Sequence, residues 1–118
     1  IAKFYNENFK YNKNICLIKK SKDIKHSYHL YTLIIDFKKI KKSKNQIMKE
    51  LYRYNIGSQV LYIPIYLHPY YKKKYNFKIK SFPNSNDYYE KALSIPIFYD
   101  LKRKEQKFVI KMINKIVS

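Results

Sequence analysis

His26-Ser-Tyr-His-Leu-Tyr-Thr-Leu-Ile-Ile-Asp36 is the stretch on which the fold turns. Aromatic and β-branched residues fill it and charged residues bound it. Such a segment fits a pleated, largely buried surface, so it is expected to be the central strand of a sheet. Upstream, Ile15-Cys-Leu-Ile18 follows the turn-prone Asn12-Lys-Asn14 and predicts a short edge strand. Residues 1–9 read as the end of a helix, and the polar residues 19–25 join the two strands.

Downstream, Ser43 can cap a helix that carries Ile47, Met48, Leu51, Tyr52 and Tyr54 at helical spacing. Gly57 is the only glycine and falls just after this helix, where a left-handed cap is wanted. Residues 58–63 predict another strand, ended by Pro64. Pro69-Tyr-Tyr-Lys-Lys-Lys-Tyr75 predicts a short helix with proline in its first turn. Asn84 or Ser85 is expected to cap a helix through Leu93, and Ser94-Ile-Pro-Ile-Phe98 to form a strand that Pro96 confines to an edge. A last helix, 103–117, places Phe108, Val109, Met112, Ile113 and Ile116 on one face. The expected class is α+β: a small, mostly antiparallel sheet with helices packed on one face, as one domain over residues 1–118.

Charge is the loudest compositional signal, with 26 Lys+Arg against 8 Asp+Glu and a formal net charge of +18. Clustered cations attract polyanions. The lysines are nevertheless spread along the whole chain, and only Arg53 and Arg103 are arginines. Lys, Asn, Ile, Tyr and Phe all have AT-rich codons, so compositional drift accounts for much of the excess. The single Cys16 excludes a disulfide framework or a cysteine-rich zinc site, and it reads as a small buried hydrophobe in a reducing compartment. No apolar run approaches the roughly 20 residues that cross a bilayer. The opening Ile1-Ala-Lys-Phe-Tyr5 reads like a helix already under way, which favours a piece of something longer.

Several site classes find no match. His26, His29 and His68 lack the spacing of metal ligands, and His26 and His29 would leave opposite faces of the expected strand. One glycine cannot build a phosphate loop. There is no nucleophile elbow. Glu50 and Glu90 sit among polar residues and read as solvated surface. Pro69-Tyr-Tyr-Lys-Lys-Lys-Tyr-Asn-Phe77 interleaves cations with aromatics, the mixture that binds single-stranded nucleic acid, but no RNA-binding motif accompanies it.

Three segments in fixed order carry a resemblance: His26-Ser-Tyr-His-Leu-Tyr31 with the strand ending in Asp36, the run from Asn55-Ile-Gly-Ser-Gln59 to His68-Pro-Tyr-Tyr71, and Phe82-Pro-Asn-Ser-Asn-Asp87 to Phe98. Together, over about residues 28–117, they resemble the C-terminal domain of the DegT/DnrJ/EryC1/StrS aminotransferases, in particular the members serving pseudaminic acid synthesis. The resemblance implies the small domain of a fold-type I enzyme. Its absent large domain would hold pyridoxal phosphate on a lysine, and no lysine here lies in that motif's context. The parent would move an amino group from L-glutamate to C4 of a UDP-4-keto-6-deoxy-N-acetylhexosamine, working as a cytoplasmic homodimer. Alone, the chain is expected to bind no cofactor and to supply no catalytic residue. Its implied substrate contacts are Gln59, Tyr62, His68 and His29, although His29 also reads as a hydrogen-bonded core histidine and His68 as a helix cap. Two departures stand out: Leu61 where the family has histidine before Tyr62, and Tyr66 where many members have histidine. The rival reading is a stand-alone basic nucleic-acid-binding domain, and a third is a non-catalytic remnant.

Overall fold

The computed structural model describes residues 1–19 and 21–118; Lys20, within the expected polar connection, lies outside them. The elements run α1 (Ala2–Phe9), β1 (Ile15–Leu17), β2 (Tyr31–Ile35), α2 (Lys44–Arg53), α3 (Pro69–Tyr75), α4 (Pro83–Lys91), β3 (Ala92–Ile95) and α5 (Arg103–Ile116). Short 3-10 turns stand at Ile65–Leu67 and Ile79–Ser81. As the sequence predicts, β2 is the central strand of an antiparallel sheet ordered β1-β2-β3.

The alternation of β2 decides what faces what. Tyr31, Leu33 and Ile35 are buried on one face, in register with Ile95, Leu93 and Ile15. Against that face lie Tyr5 and Phe9 of α1 and Val109, Met112, Ile113 and Ile116 of α5, which form one apolar core. Phe108 was expected on the buried stripe of α5 but is exposed at the margin of that stripe. Polar anchors fix these layers. The Tyr31 hydroxyl donates to Asn6 Oδ1 at 2.6 Å, and Tyr5 donates to the Pro96 carbonyl at 2.9 Å. Asn14 Nδ2 and Lys42 Nζ donate to the Val117 and Ile116 carbonyls at the end of α5.

Ser43 caps α2 as expected, accepting from the Gln46 N–H while Gln46 Oε1 accepts from the Ser43 N–H. The other end of α2 corrects the sequence reading. Gly57 does not adopt a positive φ; Asn55 does, at 56°. The Asn55 N–H bonds the Tyr52 carbonyl at 2.9 Å and the Ile56 N–H reaches back to the Leu51 carbonyl at 3.0 Å, with Ile56 and Leu51 both in the core. This paired closure with an apolar clasp is a Schellman motif, built on asparagine. A Cβ on Gly57 would meet nothing within 4 Å. Gly57→Ala is therefore expected to leave stability unchanged. Asn55→Val, which forces a β-branched residue into the left-handed region, should cost about 1–2 kcal/mol, and Asn55→Gly should not. Urea denaturation of the three variants measures this; equal losses at 55 and 57 would refute the assignment.

Four other expectations are corrected. The strand begins at Tyr31, not His26: the preceding residues form a loop in which Tyr28 takes φ 52° and its N–H donates to His26 Nδ1 at 2.8 Å. His29 is consequently exposed in that loop, not a core residue. Cys16 is exposed, because its position in β1 points away from the helical layer. Helix α4 starts at Pro83 with neither Asn84 nor Ser85 capping it.

Candidate functional site

The predicted strand 58–63 forms only one bridge, and the reason shapes the site. Gln59 and Ser94 exchange both backbone hydrogen bonds, at 3.0 and 2.9 Å. The next such pairs would join residue 57 to 96 and residue 61 to 92. Pro96 has no N–H to offer, and the Ala92 N–H is already committed to the Tyr88 carbonyl as the cap of α4. The ladder cannot extend either way, so the chain peels off after Gln59 and leaves an open space beside β3.

That space is a cleft of about 1070 Å³. The loop closing α2 forms one wall, residues 94–98 the floor, and the first half of α5 the other wall. Pro96, Ile97, Leu101 and Phe108 make its lining largely apolar, while His29, Gln59, Lys102 and Glu105 supply polar groups. Beneath the rim, Thr32 Oγ1 and Ser94 Oγ share a hydrogen bond at 3.2 Å. Glu105 is committed to structure: its Oε2 accepts from the Lys102 N–H at 2.7 Å and closes the start of α5. The cleft therefore suits an uncharged or anionic ligand with an apolar side, held by an amide, an imidazole and nearby ammonium groups. It offers no paired carboxylates for acid–base work.

The four predicted contacts divide. Gln59 and His29 come together at this cleft. Tyr62 does not line it, being 95% exposed on the departing segment. His68 stands further along, where its Nε2 pairs with the Ile63 carbonyl at 3.0 Å; its side chain does not cap α3. The two departures from the expected pattern have local roles. Leu61 lines a second cavity of about 440 Å³ with Tyr28, Thr32 and Tyr88, which His29 also borders. Tyr66 is buried, stacked on Phe82 at 4.7 Å with its hydroxyl near Asn86 Oδ1. Ser94 and Phe108 are cleft residues that the sequence presented only as strand and helix positions. Phe108 could have been found, since it stands at the margin of the i, i+3, i+4, i+7 stripe formed by Val109, Met112, Ile113 and Ile116.

Among the described residues no cluster of three or more His, Cys, Asp or Glu could hold a metal. No helix of the described residues is long and apolar enough to cross a membrane. Among the described residues, the groups of the cleft also do not fit pyridoxal phosphate. Burial pulls Lys44 below the ordinary lysine range, but its Nζ donates to the Tyr89 carbonyl at 2.6 Å, over the rings of Phe37 and Tyr89 and outside the cleft. The cleft lysines are exposed at the start of α5, and the nearby carboxylate is the one closing that helix.

A model of the DegT/DnrJ/EryC1/StrS aminotransferase family matches residues 1–114. The uncharacterized protein MJ1066 of Methanocaldococcus jannaschii is 36% identical over 118 residues, all of this chain and 31% of that protein. The UDP-4-amino-4,6-dideoxy-N-acetyl-beta-L-altrosamine transaminase of Campylobacter jejuni is 35% identical over 109 residues, 92% of this chain and 28% of that protein. Among solved structures, Helicobacter pylori PseC, an aminotransferase involved in pseudaminic acid biosynthesis, superposes with a TM-score of 0.85 at 25% identity. That match covers 98% of this chain and 30% of the PseC chain. The chain thus spans less than a third of the length of these relatives.

Proposed function

This chain belongs to the DegT/DnrJ/EryC1/StrS aminotransferase family, and we propose that it serves as the C-terminal small domain of a longer nucleotide-sugar aminotransferase. The observation carrying this reading is the coincidence of near-complete coverage here with under a third of each relative. The family uses pyridoxal phosphate, which when bound supplies the amino-group carrier and electron sink. The poor fit of the described residues to that group supports the reading that the rest of the parent binds it. The parent's reaction is transfer of an amino group from L-glutamate to C4 of a UDP-4-keto-6-deoxy-N-acetylhexosamine, in surface polysaccharide or flagellin glycan synthesis, by a cytoplasmic homodimer. The names of the Campylobacter and Helicobacter relatives support this substrate class.

In this reading the cleft beside β3 receives the sugar. An apolar floor suits the 6-deoxy edge and N-acetyl methyl of such a sugar, and the Gln59 amide and His29 imidazole supply hydrogen bonds to its oxygens. Tyr62 and His68 lie outside this cleft, so any contact they make is with the part of the sugar nucleotide beyond the sugar. Gln59 holds its place through its backbone, so truncating its side chain spares the fold. In the parent enzyme, Gln59→Ala is expected to raise KM for the sugar nucleotide roughly tenfold, about what one lost hydrogen bond carries. The half-reaction with glutamate should be unchanged. Steady-state and half-reaction kinetics read the two separately. An equal loss in both, or none in either, would remove the cleft from substrate binding.

A further inference from the structure

Helix α3 has no buried face. None of its residues joins the core, and Tyr70 (64% exposed) and Tyr75 (54% exposed) stand largely in solvent. Its rings are nonetheless ordered. Tyr71 and Tyr75, one helical turn apart, lie within 10° of parallel at 6.4 Å, and Tyr75 stacks on Phe77 at 5.3 Å. Phe77 meets Phe82 edge-on at 5.3 Å, and Phe82 is stacked on the buried Tyr66. An aromatic ladder thus climbs from a buried base to rings that stand partly in solvent. Lys74 lies 5.5 Å from the Tyr75 centroid and within 3.3 Å of the Tyr70 hydroxyl, and Lys72 and Lys73 are exposed beside it. Among the described residues, the ion-paired carboxylates Glu50 and Asp87 are engaged by Lys42 and Lys91 instead.

Exposed π faces take flat heterocycles, and adjacent ammonium groups take phosphates. Seven residues of helix are about 10 Å long, room for one stacked ring and its phosphates and not for a run of bases. The geometry points to α3 as the contact for a nucleoside diphosphate, its base against the edge of the Tyr71–Tyr75 pair and its phosphates on Lys74. This rests on the nucleotide-sugar reading above and deepens it, placing the nucleotide end of the ligand on an arm separate from the sugar cleft.

The test is an NMR titration of this chain with UDP, uridine, inorganic pyrophosphate and a short oligothymidylate, in salt of about 0.15 M. UDP should shift the resonances of residues 69–77 and bind roughly tenfold more tightly than uridine or pyrophosphate, since only UDP engages both rings and lysines. Tyr75→Ala and Lys74→Gln should each weaken UDP several-fold to roughly tenfold with the core resonances unmoved, because α3 buries nothing. Absence of shifts in α3, or pyrophosphate binding as tightly as UDP, overturns the assignment. So does oligothymidylate binding more tightly than UDP in proportion to its length, which would make the arm a strand-binding surface. Amino transfer by the parent is a separate readout. A parent that transaminates the keto sugar with an unchanged KM in Lys74→Gln sinks this inference alone, whereas UDP capture at α3 by an inactive parent sinks only the proposed reaction.

Discussion

Leu33→Ala is expected to remove about 3–4 kcal/mol of folding stability, the cost of emptying a fully enclosed leucine site. Leu33 sits at the middle of β2 with no exposed surface, flanked in register by Leu17 on one side and Leu93 on the other. A wall of three strands cannot collapse into the vacancy without breaking the pairing of β1 or β3, so relaxation recovers little. Typical domains hold only about 5–15 kcal/mol in all, and this one change takes a large share. The neighbouring Thr32→Ala provides the contrast. Thr32 is half-buried on the opposite face and loses only its hydrogen bond with Ser94, at about 1 kcal/mol. Urea unfolding of the pair compares the two faces directly, and similar losses would mean that the core is not where β2 places it.

The second large effect is alkaline. Burial pushes the Tyr5 phenol up to about 12, and burial together with the neighbouring Tyr28 and Tyr5 raises Tyr31 further. An unfolded tyrosine titrates near pH 10, so the folded state holds these protons more tightly than the unfolded state does. The resulting stability is fully present below about pH 10 and is lost as pH climbs through about 12. For Tyr5 the loss across that window is on the order of 1–2 kcal/mol once solvent screening of the part-buried hydroxyl is allowed for. A phenolate could not donate to the Pro96 carbonyl, which ties α1 to the end of β3. Lysines discharge in the same range, so the comparison with Tyr5→Phe isolates the group. The variant should start about 1 kcal/mol less stable at pH 8, for the missing hydrogen bond, and fall less steeply towards pH 12. Parallel curves for the two proteins would contradict the enclosed phenol.

What the sequence made legible is what local pattern determines. The strand over Tyr31-Thr-Leu-Ile-Ile35 announces itself by composition, the start of α2 by the capping residue Ser43, and α5 by its apolar period. What it hid depends on partners distant in sequence. Nothing within residues 58–63 says that their ladder is blocked, because the block lies in the missing N–H of Pro96 and the committed N–H of Ala92. Gly57 looked like the helix terminator because glycine adopts the left-handed region most easily. Asparagine tolerates it too, and Asn55 stands where Ile56 can return to the core. The candidate site was half legible for the same reason. The resemblance named Gln59 and His29, which the fold brings to one cleft, but also Tyr62 and His68, which it leaves on the exposed segment leading to α3. The cleft's floor and far wall come from residues 94–109, joined to Gln59 by a single backbone bridge that no sequence pattern announces.

The most direct measurement is amino transfer by the proposed longer polypeptide carrying this chain, supplied with pyridoxal phosphate, L-glutamate and a UDP-4-keto-6-deoxy-N-acetylhexosamine. Formation of the 4-amino sugar nucleotide with one equivalent of 2-oxoglutarate is the predicted result. No transfer to the keto sugar nucleotide, with the chain instead binding polyanions in a salt-sensitive way that UDP does not affect, would contradict the account and favour a nucleic-acid-binding domain.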